Sequence, residues 1–164
     1  MSQPRRAPGA GVIALWKRCA GLPFGRALFS ALLGLQVPYS GALGATVLEL
    51  EPGHARVQLR DRRGVRNHLG SVHAVALTNL GELASGLAMT AALPAEVRGI
   101  VRGITIAFEK KARGTLVAES HVTVPAVTGD TAFEVTATIR DEAGDVVATV
   151  RVEWRLGLVP GARA

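Results

Sequence analysis

The chain has 164 residues, 48% hydrophobic and 20% charged, with a formal net charge of +6. That describes one globular domain able to bury a real core, and with aromatics at only 4% the core has to be built from Val, Leu, Ile and Ala. A lone cysteine, Cys19, excludes an internal disulfide framework and a Cys-rich zinc site, and leads us to expect a reducing, cytoplasmic location.

The positive charge would suit nucleic acid, an anionic membrane or a phosphorylated ligand. The arginines are scattered and no basic stripe is interleaved with aromatics, so no nucleic-acid partner is expected. No run of 18 uncharged apolar residues occurs, so no membrane span is expected. Arg5 and Arg6 ahead of an apolar run look faintly like an export signal, but Lys17 and Arg18 interrupt it.

Residues 1–10 are rich in Pro, Arg and Gly and are expected to fray. Gly11–Ala20 reads as a short helix broken by Pro23. Phe24–Leu35 reads as a second, with Leu28, Phe29, Leu32 and Leu33 on an apolar face, ended by Pro38 and Gly41. That face is expected to cover an edge of the core; lining an acyl tunnel and peripheral membrane contact are the alternatives. These two helices make an N-terminal extension over residues 1–40, ahead of a core over 41–156 in a single domain covering 1–164.

The hydrophobic period then changes to two. Leu43–Glu51 and His54–Arg60 flank the turn signal Pro52-Gly53 and predict a hairpin, with Ala55, Val57 and Leu59 on its core face. A polar loop, Asp61–Gly70, leads into Leu69–Ala95, whose only formal charge is Glu82. Small residues recur there among Leu77, Leu80, Leu83 and Leu87, and predict a helix buried almost all round, capped by Ser71 and ended at Pro94. Gly81 and Gly86 each cost about 1 kcal/mol in a helix interior, which predicts another backbone packed closely against them. Four more strands follow: Gly99–Lys110, Thr115–Val124, Thr131–Arg140 and Val146–Arg155, with a loose tail after Leu156. One long helix along a strongly curved antiparallel sheet of about six strands is an α+β fold.

The chemistry-bearing spacing is Asn67-x-x-Gly70-x-x-His73, with Glu82 nine residues further on. Nine helical steps turn a side chain about 180° and carry it ~13 Å along the axis. His73 and Glu82 of one chain therefore cannot meet at one reacting atom. Two such helices side by side across a two-fold axis could supply both halves of a site, one giving Asn67 and the helix start, the other Glu82. Free N–H groups near His73, Ala74 and Val75 suit a developing oxyanion, and a carboxylate shielded from water suits a base or nucleophile.

The run NHLGSVHAVALTNLGELASGLA resembles the helix region of hotdog-fold acyl-CoA thioesterases of the phenylacetyl-CoA thioesterase type. The strand layout, with KKARG after the third strand, is similar to a bacterial subgroup of that superfamily catalogued as a domain of unknown function. The resemblance covers about Leu22–Trp154. It implies a hotdog dimer or dimer of dimers that hydrolyses an acyl-CoA or acyl-carrier-protein thioester, with coenzyme A entering only as part of the substrate and no other cofactor. By position it implies that the Ala74 N–H polarises the thioester carbonyl, Glu82 of the partner chain activates water or attacks, and Asn67 orients water or substrate. The family has Gly-Gly after the histidine; this chain has Ala74-Val75, which keeps an amide donor but crowds a bulky substrate.

Blander readings stand beside these. Glu82 could be a structural carboxylate bonded to Asn79, Ser85 or a partner helix, and His73 a helix cap or loop fastener. Lys110, Lys111 and Arg113 could bind the coenzyme A phosphates or form a solvated strand end. His54, His68 and His121 show no metal-ligand spacing, so no metal is expected. A non-catalytic acyl-CoA or lipid binder is the main rival function. A hydratase is the third, and lacks its expected Asp and His pair.

Overall fold

The computed structural model describes residues 7–160. The fraying expected at residues 1–6 and the end of the expected loose tail, residues 161–164, lie outside them. Three short helices lead, α1 (Ala10–Ala20), α2 (Gly25–Gln36) and α3 (Pro38–Ala42). The hairpin β1 (Thr46–Glu51) and β2 (His54–Leu59) follows, then the long helix α4 (Ala74–Ala92). The chain continues with β3 (Val97–Phe108), β4 (Leu116–His121), β5 (Thr131–Arg140) and β6 (Val146–Leu158). All six strands form one antiparallel sheet in the order β1-β2-β4-β5-β6-β3.

Period-two alternation does the sorting: Val57, Leu59, Leu116, Ile139 and Val150 share the concave face and are fully buried against α4. The sheet wraps the helix, which is why α4 buries Leu77, Leu80, Ala84, Leu87 and Ala88 on several sides. No helix of the described residues is long and apolar enough to cross a membrane.

Gly81 is where α4 and the sheet come closest. A Cβ there would collide with Val150 Cγ2 and lie 2.6 Å from Val150 Cβ. The close neighbour is therefore a β-branched side chain, not the second backbone expected from the sequence. Gly86 instead borders a cavity. Gly81→Ala is expected to destabilise by about 1–3 kcal/mol through overpacking, a Tm lower by roughly 2–10 °C in thermal unfolding. Val150→Ala in the same chain should recover part of that loss.

Other boundaries differ from the sequence reading for local reasons. The second helix ends at Gln36, just before Pro38 as expected, but Pro38 then opens α3, where at the first position its missing N–H has no acceptor to lose. The cap of α4 is His73, not Ser71: the Val75 N–H donates to His73 Nδ1 at 3.1 Å, while Ser71 is buried in the preceding loop. Sheet pairing carries β6 to Leu158, and the Val159 N–H donates to the Glu96 carbonyl, so the tail is held that far. On α2, Phe29 is fully buried, but Leu28 points to solvent.

Candidate active site

Glu82 sits midway along α4, half-buried, at the wall of a cavity of about 600 Å³. Leu83 and Leu87 of α4, Val12 and Leu15 of α1, Leu33 of α2 and Trp154 of β6 give this cavity an apolar lining. Of the expected apolar face of α2, Leu33 borders this cavity, while Phe29 is buried in the core and Leu32 packs against it. No hydrogen bond or ion pair from the described residues reaches the Glu82 carboxylate; the Ser85 hydroxyl donates to the Glu82 backbone carbonyl, and Asn79 Oδ1 is itself buried without a partner. Burial alone pushes the Glu82 carboxyl above its ordinary range, since nothing nearby compensates the charged form. Trp154 also lines this cavity, and its indole N–H is buried without a partner. Its place in an alternating strand reads only as core in the sequence, so no signal marked it.

The other sequence-predicted residues gather at the start of α4. Asn67 Oδ1 accepts from the Leu69 N–H at 2.9 Å, the Ser71 N–H at 3.2 Å and the Ser71 hydroxyl at 3.3 Å, an Asx turn that shapes the loop. Gly70 completes that turn at φ 67°, a backbone conformation that side-chain-bearing residues rarely adopt. His73 is fixed from both sides: its ring accepts from Val75, and its own backbone N–H donates to the Val65 carbonyl at 2.8 Å. These contacts leave the Ala74 N–H at the first helical position, with no acceptor inside the helix.

Asn67, Ala74, Lys110 and Lys111 line a shallower cavity of about 310 Å³ beside Phe108. Within it Lys110 is already engaged, its Nζ lying 2.7 Å from both Asp141 Oδ2 and Asp145 Oδ2. Lys111 and Arg113 are exposed and form no ion pair with the described residues. Glu82 lines the larger cavity and not this one, and the eight helical steps from Ala74 to Glu82 span ~12 Å. One chain therefore keeps Glu82 and the Ala74 amide in separate cavities.

The sheet edge is unfinished in the same region. Ile104, Ile106 and Phe108 of β3 stand opposite Val152, Val150 and Ala148, which are fully buried, so both sets share the core face. Yet Ile104 is 42% exposed and Phe108 52%. Nothing in the described residues pairs the outer edge of β3.

The family described as "Domain of unknown function (DUF4442)" matches residues 25–156. Comparison with curated proteins gave no match. Among solved structures, the chain is similar to the genomics target APC5556, with a TM-score of 0.80 and 30% identity over 92% of this chain and 100% of that one. It is also similar to PA5026 of Pseudomonas aeruginosa, a protein of unknown function described as a probable thioesterase, with a TM-score of 0.71 and 26% identity over 84% of this chain and 97% of that one. The phenylacetic acid degradation protein PaaI of Thermus thermophilus shares the fold at a TM-score of 0.61 and 21% identity, over 72% and 97% of the two chains.

Proposed function

This chain belongs to the DUF4442 family and has the hotdog fold, and from that premise we propose that it hydrolyses an acyl thioester, carried on coenzyme A or a carrier protein, at a site shared by two copies of the chain. One observation carries the reading: an unpaired, desolvated carboxylate stands at the wall of an otherwise apolar cavity large enough for an acyl group.

The unfinished β3 edge supports the second copy. Exposed core-face residues on an unpaired strand call for another strand and another helix to cover them. Two β3 strands pairing antiparallel across a two-fold axis bring the Val101 end of one beside the Phe108 end of the other. Val101 stands opposite Trp154, which lines the Glu82 cavity, and Phe108 lines the Ala74 cavity. Such a dimer would bring each chain's acid toward its partner's free amide.

In the proposed reaction Glu82 takes a proton from water, and the oxygen attacks the thioester carbon. The tetrahedral oxyanion accepts from the partner's Ala74 N–H, strengthened by the start of the helix. Collapse breaks the carbon–sulfur bond, the acid's proton passes to the leaving thiolate, and a carboxylic acid and a free thiol result. Asn67, whose oxygen is committed to its loop, offers its amide N–H groups to water or substrate. Lys111 and Arg113 are the cations left to meet phosphate groups.

Mixed dimers test the shared site. Glu82→Gln removes the acid; Ala74→Pro removes the amide donor at a position where helices accept proline. Each variant alone is expected to be inactive. Co-expressed at equal levels, they should regain about a quarter of wild-type thiol release, because half the dimers carry one intact site of two. No recovery would place both groups in one chain's site. Acyl-CoA binding without thiol release by the wild type would favour the non-catalytic binder.

A further inference from the structure

We propose that His54, His121 and Glu119 form a binding site for a divalent transition-metal ion of the zinc class. His54 and His121 are 67 residues apart in sequence, but the register of β2 and β4 places them directly opposite each other. The Val122 N–H donates to the Gly53 carbonyl at 2.7 Å, so the adjoining 54/121 pair is of the non-hydrogen-bonded kind, in which facing side chains lie closest. Their ring centroids are 4.4 Å apart. Glu119, two residues before His121, projects from the same face, with Oε1 2.9 Å from His54 Nε2 and 3.4 Å from His121 Nε2.

These three donor atoms lie within 4.8 Å of one another. Zinc takes nitrogen and oxygen ligands at about 2.0–2.2 Å, which sets tetrahedral donors roughly 3.4 Å apart. The two distances to Glu119, 2.9 and 3.4 Å, are close to that spacing, and all three side chains stand on two adjacent, hydrogen-bonded strands. His121 is 73% exposed, and its ring can swing out of the stack to aim Nε2 at the ion. Solvent supplies the remaining ligand.

Charge favours a cation here although the chain as a whole is basic. Glu51 stands opposite His54 in the register, and Arg56 lies between Glu49, at 2.6 Å, and Glu119. Against the ion stands Arg56, whose Nε lies 3.9 Å from Glu119 Oε1. Two imidazoles select zinc, copper or nickel over magnesium or calcium, which require oxygen cages. The cluster lies on the outer face of the sheet, because the alternate residues Ala55, Ala118 and Ser120 face the core. It is separate from Glu82 and independent of the hydrolase reading. A bound ion would tie β2 to β4.

The test uses the full chain, freed of metal by a chelator and titrated at neutral pH with zinc by calorimetry and with cobalt by visible absorption. We expect one ion per chain, a Tm that rises with zinc, and no response to magnesium. His121→Ala and Glu119→Gln should each weaken zinc binding by about tenfold or more, with the metal-free Tm of His121→Ala unchanged. His68→Ala, in an exposed loop, should leave binding intact. Absence of saturable uptake, or uptake indifferent to both substitutions, would overturn the proposal.

Discussion

Glu82→Gln is expected to slow thioester hydrolysis by about 10²–10⁴-fold, the range for a general acid–base group, and at the same time to stabilise the fold at neutral pH. The two effects share one cause. The carboxyl is taken from water without a partner, which raises its folded value above the ordinary 4.5. The native state then holds this proton more tightly than the unfolded chain does. The associated stability is complete below the ordinary value and is lost as pH rises through the raised one. Glutamine has the same shape and does not titrate, so the variant's advantage should grow across that window and then level off. Urea unfolding of both proteins at a series of pH values measures it. A structural carboxylate held by hydrogen bonds would give the opposite sign: loss of stability on substitution, greatest at neutral pH. The same titration predicts that kcat/KM rises with pH along an acid limb lying above the usual carboxylate range.

Ile104→Glu is expected to turn a dimer into a monomer and to abolish hydrolysis while the chain stays folded. Ile104 projects from the core face of β3, opposite buried Val152, yet is 42% exposed in the single chain. In one chain a glutamate there still reaches water, so folding survives. In a dimer that covers this face it becomes a buried charge without a partner, worth about 3–5 kcal/mol, or about 10²–10⁴-fold in dissociation constant. Light scattering reads the mass, and circular dichroism the fold. A folded, dimeric, active variant would remove the β3 edge from the site.

Much of the architecture could be read from hydrophobic period alone. Ala55, Val57 and Leu59, or Val135, Ala137 and Ile139, leave a strand no other face to bury, and the structure buries all six. The apolar circumference of α4 required a sheet that wraps around it. Contacts between distant segments were not legible. The cavity beside Glu82 exists because α1 and α2 fold over α4, and nothing in the spacing of Val12, Leu15 or Leu33 says which helix they will meet. Ser71 has the usual chemistry of a helix cap, but Asn67 and Ser71 bond to each other within the loop, leaving His73 next to the first free amides. The exposed Ile104 and Phe108 follow the same alternation as their buried neighbours, so periodicity marks them as core without saying whose. His54 and His121 meet only through strand register, which the spacing of single residues does not encode.

Gly81 seats α4 directly on Val150, and the next residue in the chain is Glu82. The acid's height above the sheet is therefore gauged by a steric contact at the neighbouring residue, about 100° around its own helix. Altering the bulk at position 150 would lift or lower the whole rod and move the carboxylate relative to an incoming carbonyl, with no atom of the pocket wall exchanged. In the proposed hydrolase, reach and through it the choice of acyl group would then be retuned from beneath.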